Sequence, residues 1–126
     1  MKIEELKSYL PKDKFDDSGL TYLQEIGFPG INPILPELLE WIQDINWPVA
    51  QPVCSLLSKA GEEIIPYLEK ALESDDFEWG FWIIECLLPK MDIKIQQKVK
   101  SSVEIFSRNC NEPDYVDIAK DYLKTI

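Results

Sequence analysis

The chain has 126 residues, 45% of them apolar, and a formal net charge of -10, a size and make-up suited to one globular domain over residues 1–126. It contains no histidine, which removes Ser-His-Asp and Cys-His catalysis, H-E-x-x-H zinc sites and histidine proton shuttles. The acidity is uneven: residues 1–89 carry 6 basic groups against 17 acids, a surface that disfavours nucleic acid and anionic membrane and favours a basic partner.

The same acidity also serves plain solubility. Cys54, Cys86 and Cys110 are an odd number with no C-x-x-C spacing, which argues against a disulfide framework and a thiolate metal site. The N-terminal "MKIEELKSYL" lacks the apolar run of a signal peptide. Trp79 to Pro89, the most apolar stretch, is interrupted by Glu85 and too short to span a bilayer. A cytoplasmic location is the expectation.

In chain order, Ile3, Leu6 and Leu10 mark a first helix. Asp17 or Ser18 is placed to cap a second, carrying Leu20, Leu23 and Ile26 and stopped by Gly27. "GFPGINP" is a turn cluster. Leu35, Leu38, Leu39 and Ile42 fall at i, i+3, i+4 and i+7, an amphipathic helix. Leu68 and Leu72 repeat the pattern behind "GEEIIP". Trp79 to Leu88 is apolar nearly all round, so it belongs where neighbours cover it on both sides. Ile95, Val99, Ser102, Val103 and Phe106 trace one face of a long helix. Asn111 is placed to cap the last helix, with Pro113 and Asp114 in its first turn and a stripe of Tyr115, Ile118, Tyr122 and Ile126.

Segments recur. "DINWPVAQPVCSL" (44–56) overlies "DFEWGFWIIECLL" (76–88), matching Asp44 with Asp76, Trp47 with Trp79 and Cys54 with Cys86. In front of them, "ILPEL" (34–38) overlies "IIPYL" (64–68). Units of about 30 to 33 residues with two helices each predict an all-α fold, a short right-handed α-solenoid of seven or eight helices in three or four units. In that reading Asp44 and Asp76 cap the second helix of each unit, with Pro48 in a first turn. Trp47 and Trp79 close the gap inside each unit, although tryptophan is also a common interface anchor. Cys54 and Cys86 are small buried hydrophobes that resist thiol reagents, and Cys110, in a turn, reacts first.

"GEEIIPYLEKALESDDFEWGFWIIECLL" resembles a HEAT-like repeat: Gly, a Pro-containing first helix, an acidic turn, and a second helix with a small buried residue. The resemblance covers residues 61–88 and, more loosely, 31–57. It departs where the Arg common after the turn is replaced by Gly80 and Pro48, so the Asp–Arg ladder between units is missing. The whole chain also resembles a small bacterial domain family of unknown function, through "LPKDKFD" (10–16) and "DINWPVA" (44–50). That resemblance implies a helical fold and brings no activity.

Little chemistry is legible. There is no Walker or dinucleotide fingerprint among the five glycines, and no EF-hand. No cofactor, metal or catalytic set is expected. Glu85, the one charge in an apolar segment, is a general-acid candidate if buried. The competing and favoured reading puts it on the wet edge of its helix, or pairs it with Lys90, Lys94 or Lys98.

Turns within solenoid units line up along one edge. This edge would carry Lys12, Asp13, Lys14, Asp16, Asp44, Asn46, Trp47, Asp75, Asp76 and Glu78, the candidate surface for a basic protein partner. A second candidate is an acidic face of Glu62, Glu69 and Glu73, whose ordinary fate is solvation. The expected function is therefore a protein-binding module, an adaptor or immunity-type protein. The alternatives are a small carboxylate-dependent enzyme, or a subunit that oligomerises through an apolar end of the array.

Overall fold

The computed structural model describes residues 2–126. Among these residues the chain forms nine α-helices and no strand: α1 (Ile3–Lys7), α2 (Leu20–Ile26), α3 (Leu35–Glu40), α4 (Ala50–Leu57), α5 (Ile65–Leu72), α6 (Phe77–Trp82), α7 (Ile93–Lys98), α8 (Lys100–Asn109) and α9 (Pro113–Leu123). Short 3-10 turns precede α3 (Asn32–Ile34) and α5 (Glu62–Ile64). None of the helices exceeds 11 residues, and helices this short are marginal in isolation. Tertiary burial therefore holds them.

That burial follows the apolar stripes. Leu35, Leu38, Leu39 and Ile42 are all buried, as are Leu68 and Leu72. The core runs without a gap from Leu6 and Leu23 through Leu57 to Val103, Phe106 and Tyr122. Each large aliphatic side chain withdrawn from water contributes roughly 1.5–3 kcal/mol before entropy is counted. Consecutive helices pair, α3 with α4, α5 with α6 and α8 with α9. The first members touch in succession, α3 to α5 to α8, and so do α2, α4, the π-helical turn that continues α6, and α9.

The recurrence of "ILPEL" and "IIPYL" is structural. Helices α3 and α5 begin at 35 and 65, each behind a 3-10 turn and each with proline in its first turn, where the missing N–H costs nothing. The second helices are not equivalent. α6 starts at Phe77 behind Asp76, whose Oδ1 accepts the Trp79 N–H at 3.1 Å, as expected of a cap. α4 starts only at Ala50. Asp44 is therefore no cap; its Oδ1 accepts the Asn46 N–H at 2.9 Å in a local turn, and Pro48 lies before the helix. The reason is side-chain competition: Asp bonds its own backbone two residues on as readily as it caps.

Other boundaries also move. Neither Asp17 nor Ser18 caps α2, whose N-cap is Gly19 without a side-chain bond. Gly27 ends α2 as expected, at φ 65°, the left-handed region glycine tolerates. The long helix expected over 95–106 bends at Val99 into α7 and α8. Gln96 accounts for the bend: its Nε2 donates to the Met91 carbonyl at 2.8 Å and its Oε1 accepts from the Tyr122 hydroxyl at 2.7 Å. This buried network ties α7 to α9, so α7 cannot run on along the axis of α8. Asn111 is exposed, and Glu112 is the N-cap of α9, again without a side-chain bond. Pro113 and Asp114 occupy the first turn of α9 as expected.

Trp79 to Leu88 meets neighbours on both sides. α6 packs on α5, and the π turn Ile83–Leu87 packs on α4 and α9. Pro89 has no N–H to extend the ladder, and its ring collides with the carbonyl four residues back. The run ends there in a 3-10 turn, Leu88–Lys90. Gly80 is buried in α6 because a Cβ there would lie 2.8 Å from two ring carbons of Phe106 on α8. The space beside Gly80 is thus filled by an aromatic ring from α8.

The cysteines correct the expected order of reactivity. Cys54 is fully buried, but Cys86 is only partly so, and Cys110 is buried in its turn. Repeat position did not foresee the π turn, which rotates Cys86 towards the surface. Cys86 is expected to label first, Cys110 later, and Cys54 only on unfolding; timed alkylation followed by mass spectrometry reads the order. Burial, reinforced by Cys86 and opposed by Lys90, pushes the Cys54 thiol from 9.0 up to about 11. A thiol whose folded-state pKa is raised contributes stability that is whole below pH 9 and is lost as the pH rises towards 11. The loss should amount to ~2 kcal/mol. Urea unfolding of the wild type and Cys54→Ala between pH 8 and 11 should show the wild-type curve falling more steeply.

Candidate functional site

The segment "LPKDKFD" forms a closed loop between α1 and α2. The Asp16 carboxylate closes it, accepting the Lys12 N–H at 3.1 Å on one oxygen and the Ser18 hydroxyl at 2.6 Å and N–H at 3.2 Å on the other. The Ser18 hydroxyl and these backbone donors hold the Asp16 carboxyl below its ordinary pKa. Asp13 Oδ1 accepts the Phe15 N–H at 2.9 Å. The ends of the loop meet so closely that a Cβ on Gly19 would lie 2.0 Å from the Tyr9 carbonyl oxygen. Both acids of the motif are therefore spent on loop architecture, and Lys12, Lys14 and Phe15 face water, with Phe15 68% exposed. The Lys14 ammonium lies 5.3 Å from the centre of the Phe15 ring.

The two motif segments are joined directly: the Val49 N–H donates to the Lys14 carbonyl at 3.1 Å. This contact docks the 10–16 loop beside the 44–49 turn and opens a cleft of about 320 Å³ between them and α3. Trp41 and Trp47 meet edge to face in its wall, ring centres 5.8 Å apart at 67°. Glu37 and Glu40 from α3 line it, with Leu10, Pro11 and Gln43. Glu37 is underused: Oε1 is 3.8 Å from the Lys7 ammonium, and Oε2 is buried without a hydrogen-bond partner among the described residues. Glu40 also lines a second, more apolar cleft of about 530 Å³ between α3 and α5, walled by Tyr67 and Trp79. Trp79 is fixed there because its indole N–H donates to the Leu39 carbonyl at 3.0 Å. Trp79 thus bridges to the preceding helix pair, while Trp47 packs within its own.

Of the surface expected from sequence, the segment of Lys12, Asp13, Lys14 and Asp16 and the segment of Asn46 and Trp47 are joined by the Val49–Lys14 bond. Asp75, Asp76 and Glu78 are exposed at the start of α6, and Trp79 of the same segment is the link from there to α3. Sequence reading missed Trp41, Glu37 and Glu40. Their signal was present: they stand at i+4, i and i+3 on the side of α3 opposite its leucine stripe. The acidic face is less free than expected. Glu62 pairs with Lys98 and Glu73 accepts the Ser102 hydroxyl at 2.8 Å, so both bridge to the following helices. Glu85 is exposed on the π turn, on the wet edge of its helix, and Lys98, one of its suggested partners, is the lysine bound to Glu62.

Among the described residues no group of three or more His, Cys, Asp or Glu side chains is arranged to hold a metal ion, and no helix is long and apolar enough to cross a membrane. Fold and site together define an all-α domain with an acidic, aromatic cleft where its two motif segments meet. Residues 9–123 match the family described as a domain of unknown function (DUF5071), and the chain belongs to that family. A comparison with curated proteins gives no match.

Proposed function

We propose that this chain is a non-enzymatic protein-binding module, an adaptor or immunity-type protein that receives a basic partner on the edge formed by residues 10–16 and 41–49. The observation that carries the reading is the cleft itself. Two tryptophans and two glutamates, one with an unpartnered oxygen, line a cavity in a half-chain with 17 acids against 6 bases. Aromatic anchors beside uncompensated charge are what a selective, electrostatically steered interface needs. The scaffold in this proposal is a short right-handed α-solenoid of HEAT-like helix pairs. Its support is the 3-10 turn and Pro-led helix repeated at 35 and 65, and the two rows of successive helix contacts. The ridge of Lys12, Asp13, Lys14, Asp16, Asn46, Trp47, Asp75, Asp76 and Glu78 frames the partner's approach, and no nucleic acid or membrane surface is required.

Affinity capture from a host lysate, with mass spectrometry at low and high salt, tests it. A basic protein whose association rate falls with ionic strength is expected. Asp75→Lys with Asp76→Lys should slow its association more than it speeds dissociation, at about 1–2 kcal/mol of stability for the lost cap. An acidic partner, or capture indifferent to salt, contradicts the proposal.

A further inference from the structure

We infer that the cleft between Trp41, Trp47, Glu37 and Glu40 is a subsite for a single arginine side chain of the partner. The inference rests on the protein-binding reading and gives that site its ligand chemistry. Three features converge. The Trp41 and Trp47 rings stand edge to face at 67° in the wall of the cleft, and it is the face of an indole, not its electropositive edge, that receives a flat cation. Indole is the best of the aromatic rings for holding a cation on its face.

The carboxylates are the second feature. Glu40 is exposed, and Glu37 lines the wall half-buried; its Oε2 lacks a donor but is closed to solvent, so it meets an entering cation once the side chain turns outward. The only cation paired with Glu37 among the described residues is Lys7, at 3.8 Å and with half its side chain exposed, an arrangement that contributes little. A guanidinium offers five donors in a rigid planar fork and so can serve Glu37 and Glu40 together while stacking on an indole. An ammonium is a compact point charge, strongly hydrated, and can do one of these at a time.

The third feature is the lining. Leu10 and Pro11 supply apolar surface for the methylene stem, the part of arginine that is buried while its head stays polar. The cavity, at about 320 Å³ and open to solvent, admits one long side chain and no folded element. The chain's own basic loop residues, Lys12 and Lys14, are exposed outside the set of residues that line it.

The test is an NMR titration of the four tryptophan indole N–H signals of the 15N-labelled chain. The probes are blocked tripeptides of Gly-Arg-Gly, Gly-Lys-Gly and Gly-citrulline-Gly at low salt. The arginine peptide should shift the Trp41 and Trp47 signals saturably with a dissociation constant on the order of millimolar, leaving Trp82 in place. Lysine should bind at least several-fold more weakly, and citrulline, the uncharged isostere, should not bind. Glu37→Gln with Glu40→Gln should abolish the shifts while the Trp82 signal certifies the fold.

No saturable shift up to about 20 mM, where a millimolar site would be nearly full, overturns the inference. So does equal binding of citrulline or lysine, or shifts that survive the double substitution. The two readings fail separately. Salt-sensitive capture of a basic partner that is unchanged by Glu37→Gln with Glu40→Gln removes the arginine subsite and leaves the binding module standing. Arginine binding in the cleft without any basic partner removes the module and leaves the subsite.

Discussion

Phe106→Ala is expected to cost about 3–5 kcal/mol of folding stability, read as a fall in the urea midpoint with an unchanged slope. A domain of this size has roughly 5–15 kcal/mol in all, so the variant should sit near the edge of folding at 37 °C. Phe106 is fully buried and joins two helix pairs. Its ring lies on the bare backbone of Gly80 in α6 and edge-on to Phe77 at 6.1 Å. The reciprocal change, Gly80→Ala, adds a methyl 2.8 Å from that ring and should cost about 1–3 kcal/mol by overpacking. The two changes share one contact, so they should not add. Gly80→Ala should be less damaging in a Phe106→Leu background than alone, a coupling that a double-mutant cycle measures.

Gly19→Ala is expected to cost about 3 kcal/mol or more, at the upper end of overpacking effects. The obstacle is backbone, not a side chain that can turn away: the new Cβ would lie 2.0 Å from the Tyr9 carbonyl oxygen and 2.6 Å from its carbon. The loop between α1 and α2 must therefore open, which separates Tyr9 from Tyr22, now stacked at 5.1 Å. Opening also strains the Val49–Lys14 bond that docks the loop beside the cleft. Two readouts should move together: the urea midpoint, and protease cleavage near residues 12–18, which should speed up. A variant with native stability and an uncleaved loop would show that the loop is not closed as described.

The parts of the fold that sequence made legible are those governed by one helix at a time. The stripes on α3 and α5 are buried as their spacing predicts, that on α9 is buried at Tyr122 and half-buried at Tyr115, Ile118 and Ile126, and Asp76, Gly27 and Pro113 stop or start helices as their chemistry dictates. The misplaced features depend on a second element. Asp44 is spent on its own turn, bonding the Asn46 N–H, and the 10–16 loop is bonded to Val49 just before α4 begins at Ala50. The chain bends at Val99 where Gln96 is held by Tyr122, 26 residues away in the chain. Cys86 turns outward because Pro89 makes the helix end in a π turn and a 3-10 turn. For the candidate site, half the surface was legible. Both motif segments were singled out and their adjacency foreseen, but the cleft between them depends on α3, whose Glu37, Glu40 and Trp41 read as an ordinary polar face until the loop is docked beside them.

Hydrogen–deuterium exchange of the chain, alone and saturated with the basic partner captured from its host, addresses the binding edge most directly. Slowed exchange is expected in two separate stretches of sequence at once, residues 10–16 and 37–49, with little change in α8 and α9. Protection confined to α9 and the π turn around Glu85, or spread evenly over the chain, would contradict a binding edge built from the two motif segments.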